Sequence, residues 1–78
     1  MGEDLQRFGP KLRALRVSHN MTLTELAHSL GRSAHGYISE LELGKKNPSA
    51  ELVLKVARLF NVTTDELMKD ELDLPLED

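Results

Sequence analysis

The chain has 78 residues, no cysteine and a formal net charge of −3, with 40% apolar and 29% charged residues. A single small domain of this size buries only about 60% of its unfolded surface. Without cysteine there are no disulfides and no thiolate metal sites, which suits a reducing cytoplasm. No apolar run approaches the ~20 residues of a membrane span, and no signal-peptide pattern opens the sequence, so a cytoplasmic protein without membrane contact is expected.

Leu5, Phe8, Leu12 and Leu15 recur at helical spacing. Pro10 is tolerated best in a first turn, so a first helix is predicted from Gly9 to His19, with residues 3–8 adding a turn before it and Asn20 as its stop. Thr22 and Glu25 form a T-x-x-E capping box that opens a second helix at Leu23, with Leu23, Leu26, Ala27 and Leu30 facing inward and Gly31 ending it. Ser33 is the predicted cap of a third helix, which carries Tyr37, Ile38 and Leu41 and closes at Gly44. After the loop Lys45-Lys46-Asn47-Pro48, Ser49 caps a fourth helix with Leu52, Val53, Val56, Ala57 and Phe60 in register, ended by Asn61. Thr63 and Glu66 make a second capping box for a short fifth helix through Leu67 and Met68.

Five short helices joined by short loops predict a compact all-α domain. Residues 1–8 read as an N-terminal extension, 9–69 as the domain, and 70–78 as an acidic tail in which Pro75 breaks any helix.

The charge is unevenly placed. All ten Lys and Arg lie between Arg7 and Lys69, a span with six acids and therefore +4, while seven acids crowd the two ends. A mildly basic body can hold phosphates locally, though its long-range steering is weak. The three aromatics, Phe8, Tyr37 and Phe60, are too few for a single-strand stacking platform. Catalysis has no support, because no nucleophile has a spaced base. His28 and His35, seven apart with Gly31 between them, are not at chelating spacing. No metal, cofactor or small-molecule ligand is expected, and His19 and His28 read as surface residues.

Taken in order, Leu12-Arg13-Ala14-Leu15-Arg16, Met21-Thr22-Leu23, Glu25-Leu26-Ala27, Leu30-Gly31, Ile38-Ser39, Leu41-Glu42, Gly44-Lys45, Asn47-Pro48-Ser49 and Phe60-Asn61-Val62 resemble the lambda-repressor/Cro-like (XRE) helix-turn-helix family. The resemblance spans about Phe8 to Met68. It implies a five-helix domain that binds duplex DNA, with the third helix as reader, usually as a dimer. It also implies that Arg16 on the first helix pairs with Glu42 near the end of the third, a use that suits a planar guanidinium. Lys45, Lys46 and Asn47 match the segment laid along the DNA backbone, where donors position a domain without reading sequence.

This chain departs from the family pattern in length. Six residues, RSAHGY, separate Gly31 from Ile38 where five are usual. Counted back from Ile38, the base-reading positions are His35, Gly36, Ser39 and Glu40. His35 suits a guanine acceptor, a phosphate, or no task. Gly36, which costs about 1 kcal/mol of helix propensity against Ala, marks either close approach to DNA or the lengthened turn. Ser39 can bond a base or a phosphate. Glu40 repels phosphate but can accept from cytosine N4, or it pairs with a nearby basic group, or it has no role. Thr24, Arg32, Ser33 and Tyr37 are further phosphate candidates, and Leu23 stands where many relatives carry a backbone-binding Gln.

Two functions follow from different classes. The first is a sequence-specific DNA-binding transcriptional regulator, a homodimer whose seam would use Leu67, Met68, Leu72, Leu74 and Leu76. The second is a protein-interaction module on the same fold that does not bind DNA, a reading favoured by Glu40, Leu23 and the acidic tail.

Overall fold

A computed structural model describes residues 5–31 and 35–76. Its helices are α1 (Phe8–Ser18), α2 (Leu23–Ser29), α3 (His35–Glu42), α4 (Ala50–Phe60) and α5 (Thr64–Met68). The predicted cap Ser33, like Glu3, Asp4, Glu77 and Asp78 of the charge pattern, lies outside the described residues.

Local chemistry sets most helix ends. Thr22 Oγ1 accepts from Glu25 N at 3.0 Å while Glu25 Oε1 accepts from Thr22 N at 2.8 Å, and Thr63 with Glu66 repeats the arrangement at the same distances. Each box satisfies two backbone donors that a helix start would otherwise leave open. Ser49 Oγ accepts from Leu52 N to cap α4. Four helices then stop at a left-handed residue. Asn20 (φ 56°), Gly31 (φ 77°), Gly44 (φ 78°) and Asn61 (φ 57°) hold that conformation. The following amides of Met21, Lys45 and Val62 donate to Arg16 O, Glu40 O and Ala57 O.

The start of α1 differs from the sequence reading. The helix spans Phe8 to Ser18, one residue earlier at each end than the spacing predicts, with Pro10 third in the helix, where no intrahelical donor is needed. Its N-cap residue, Arg7, makes no side-chain cap. The Arg7 amide and the two amides before it are satisfied by residues 68–70 instead. Asp70 Oδ1 accepts from Arg7 N at 2.8 Å and Asp70 Oδ2 from Gln6 N at 3.1 Å. Leu5 N donates to Met68 O, and the Arg7 guanidinium donates to Asp70 O and to Asp73 Oδ1. Residues on both sides of the predicted 8/9 and 69/70 boundaries are thus bonded to one another.

One apolar core unites the helices. Phe8, Leu12 and Leu15 of α1 meet Leu26, Ala27 and Leu30, Ile38 and Leu41, Leu52, Val53, Val56, Ala57 and Phe60, and Leu67. Leu23, predicted to face inward, packs only at the edge of this core, together with Met21, Tyr37, Val62 and Leu74. Lys11 is a charged residue inside it, 4% exposed. Its Nζ donates to Glu66 O at 2.6 Å and Lys69 O at 2.9 Å, which are carbonyls at the end of α5. A cation at a helix C-terminus is favourable. Burial, reinforced by Arg7, lowers the Lys11 pKa, and Asp70, Asp73 and Glu71 oppose the shift.

Candidate nucleic-acid interface

The position of α3 is fixed from α1 at two points. Gly9 and Arg16 are seven residues apart, two turns along one face of α1. At the first point the backbones nearly touch. A Cβ added at Gly9 would lie 2.5 Å from both Leu41 O and Glu42 O. At the second, Arg16 Nε donates to Glu42 Oε2 at 2.7 Å and Arg16 Nη2 donates to Glu42 Oε1 at 3.2 Å. Arg16 Nη1 also donates to Met21 O at 2.9 Å, in the turn that leads into α2. The two side chains are 14% and 6% exposed. Hydrogen bonding to Glu42 holds the Arg16 pKa above the ordinary arginine value, with burial working against it. The guanidinium therefore ties α1, the entry to α2 and the end of α3 together.

The other face of α3 is only partly covered. Gly36 is exposed, and a Cβ built there meets nothing within 4 Å. Ser39, Glu40 and Tyr37 are half-buried. His35 is the first residue of α3, while Arg32 and Ser33 lie outside the described residues. Thr24 is exposed as the second residue of α2. Lys45, Lys46 and Asn47 are exposed on the loop between α3 and α4.

This loop does not simply run beside α3. The Lys45 amide donates to Glu40 O at 2.9 Å, which returns the chain over the helix end. Lys46 Nζ then lies 3.7 Å from Glu40 Oε1 and 5.9 Å from the centroid of the Tyr37 ring. Of the alternatives for Glu40, an intramolecular basic partner is present, and it is a loop residue six positions later. Sequence patterning does not reveal this neighbour, and it does not reveal the close approach at Gly9. A glycine within a predicted helix was the available signal for the latter, because its propensity cost calls for a compensating interaction.

The expected dimer residues divide. Leu67 has no exposed surface and Leu74 packs against the core, whereas Met68, Leu72 and Leu76 are 37%, 37% and 42% exposed. A side chain wholly inside the core has no area to offer a second copy, so Leu67 drops out of any seam. Among the described residues no group of three His, Cys, Asp or Glu is placed to hold a metal ion, and no helix is long and apolar enough to cross a membrane.

A helix-turn-helix family model matches residues 12–67. An uncharacterised HTH-type transcriptional regulator of Methanocaldococcus jannaschii is 39% identical over 57 residues, which cover 73% of this chain and 85% of the relative. Among solved structures, the restriction-modification controller protein C.AhdI of Aeromonas hydrophila superposes with a TM-score of 0.71 at 32% identity, covering 81% of this chain and 94% of that one. The P22 c2 repressor, solved with a synthetic operator, gives a TM-score of 0.73 at 26% identity, covering 80% of this chain and 92% of the repressor.

Proposed function

Because the chain belongs to the lambda-repressor/Cro-like helix-turn-helix family of transcriptional regulators, we propose that it binds duplex DNA sequence-specifically as a cytoplasmic homodimer. Each α3 enters the major groove of one half-site, and the half-sites lie about 34 Å apart. The protein acts by binding, without catalysis or a cofactor. His35, Gly36, Ser39 and Glu40 are the proposed base contacts. Thr24, Tyr37, Lys45 and Asn47 contact the phosphate backbone, and Arg32 and Ser33, which lie outside the described residues, are further phosphate candidates. The seam between copies uses Met68, Leu72 and Leu76.

One observation carries this reading. The end of α3 is clamped by α1 through both the backbone and the carboxylate of Glu42, while its other face stays partly accessible beside three exposed polar loop residues. A reading helix needs such rigidity, since small misplacements break base recognition. The P22 c2 repressor, similar over most of both chains, was solved on an operator duplex. The acidic tail gives the interaction-module alternative less support than its composition suggests, because Asp70 and Asp73 are engaged by Arg7 on the same chain.

The test is a salt titration of duplex binding by fluorescence anisotropy. Affinity should fall steeply and linearly on a log–log plot. Lys45→Ala should weaken all duplexes alike and reduce the slope by about 1. Absence of binding at low salt overturns the proposal in favour of the interaction module.

A further inference from the structure

Glu40 and Lys46 form an acid–base pair on the open side of α3, and their arrangement has a counterpart in DNA. Tyr37 and Glu40 are three apart on α3 and so share a face. Lys46 is drawn back over that face, 3.7 Å from the carboxylate and 5.9 Å from the Tyr37 ring centroid. The loop backbone is pinned there by the Lys45 amide on Glu40 O. Both charged side chains keep about half their surface, 53% for Lys46 and 46% for Glu40. The pair thus presents an acceptor and a donor side by side to whatever covers α3.

Resting on the DNA-binding reading above, we infer that Glu40 and Lys46 act together as a reader of one G·C base pair in each half-site. In the major groove guanine offers two neighbouring acceptors, N7 and O6, and cytosine offers the N4 amine as a donor. O6 and N4 of one pair are joined by a Watson–Crick hydrogen bond and so lie about 2.9 Å apart. That spacing is close to the 3.7 Å between Lys46 Nζ and Glu40 Oε1. The carboxylate accepts from N4 while the ammonium, with three donors, spans O6 and N7. An A·T pair fits worse. Its adenine donor sits between two acceptors, so a carboxylate at the donor faces an acceptor that Lys46 leaves unpaired, or Lys46 meets the thymine methyl. The acid is repelled by phosphate wherever it is not matched to an amine, which makes the same pair a penalty against other sequences. Lys46 is therefore a base reader, and Lys45 and Asn47 carry the backbone contacts.

The test uses the full chain and a duplex recovered from a randomised pool, with the selected site then varied one pair at a time. The wild type should require G·C at one position per half-site, its affinity falling about fivefold or more when A·T replaces it. Glu40→Ala and Lys46→Ala should each abolish the preference at that same position, and the double variant should abolish no more than either single. Circular dichroism of the exposed-site variants checks that they are folded. If Lys46→Ala instead weakens every duplex equally and lowers the salt slope by about 1 with the G·C preference intact, Lys46 is a phosphate contact and the inference is wrong. An A·T preference that depends on Glu40 overturns it as well. Failure of the wild type to recover any duplex removes the DNA-binding function itself, an outcome distinct from binding with an unaltered preference.

Discussion

Gly9→Ala and Gly36→Ala make the same chemical change in two helices and should have opposite effects. In an open helical site, replacing glycine by alanine stabilises by up to about 1 kcal/mol. Gly36 is such a site, since its added methyl meets nothing within 4 Å. At Gly9 the methyl would lie 2.5 Å from two backbone carbonyl oxygens and 2.9 Å from the Glu42 carbonyl carbon, where ordinary contact begins at 3.4 Å. Neither carbonyl can rotate away, because both belong to the last turn of α3. The helices must part by up to about 0.9 Å, and a gap of that order forfeits a quarter to a half of each dispersion interaction across it. Overpacking of this kind costs about 1–3 kcal/mol, and two backbone clashes place Gly9 toward the upper end. After subtracting the propensity gain, Gly9→Ala should be destabilised by about 1–2 kcal/mol. For a domain of this size that lowers the Tm by about 5–15 °C. Urea and thermal unfolding followed by circular dichroism measure both variants. Gly9→Ala at or above wild-type stability would refute the claim that α1 and α3 meet backbone to backbone. Duplex affinity of Gly9→Ala, measured well below its midpoint, should also fall, because the close approach at Gly9 is one of the two anchors that orient α3.

Further outcomes test the other interactions. Arg16→Ala leaves the Glu42 carboxylate, 6% exposed, without its cation and should cost about 3 kcal/mol or more. Arg16→Met with Glu42→Leu should be much milder, since both charges are removed together; urea unfolding of both variants gives the comparison, and equal destabilisation would mean that the pair does not act as a unit. Lys11 has a folded pKa below the ordinary 10.5. The folded chain therefore releases this proton at lower pH than the unfolded chain. Between the two values the unfolded state binds more protons, so stability rises with pH there. The stability of the wild type relative to Lys11→Met should accordingly rise as pH approaches 10.5 from below and then level off, as followed by unfolding at a series of alkaline pH values. A relative stability that falls over that range would contradict the burial of the ammonium. Replacing Met68, Leu72 and Leu76 together by Ser should shift the mass seen in sedimentation toward the monomer while leaving the Tm within a few degrees; an unchanged dimer places the seam elsewhere.

The helix ends were legible because their chemistry is local. Thr22 and Glu25, or Thr63 and Glu66, meet within one turn, and a residue type alone fixes that. Asn20, Gly44 and Asn61 stop helices for a reason carried by their own backbone preference. The inner faces followed from period, since Leu12, Leu15, Leu26, Ile38, Leu41 and Val56 all fall on one stripe of their helix and all are buried. The pairing of Arg16 with Glu42 came from family resemblance and not from spacing. The interactions that escaped the sequence are those whose partners are brought together by the path of the chain. Asp70 reaches Arg7 across 63 positions, and Lys11 reaches Glu66 and Lys69 across 55 and 58. Nothing in the local pattern marks Leu67 as core or Met68 as surface, because a five-residue helix is too short for its periodicity to select a face.

By itself, then, the sequence determined five helices, their stops and the family to which they belong, because caps, left-handed stops and apolar periods act over a turn or less. Tertiary structure decided what surrounds α3. It brought α1 against the carbonyls of Leu41 and Glu42, bonded Arg7 to Asp70, and laid Lys46 beside Glu40. A Glu on that helix is ambiguous as a letter. Its meaning is set by the cation beside it, and that neighbour is a product of the turn at Gly44 and the bond that pins the loop to the helix end.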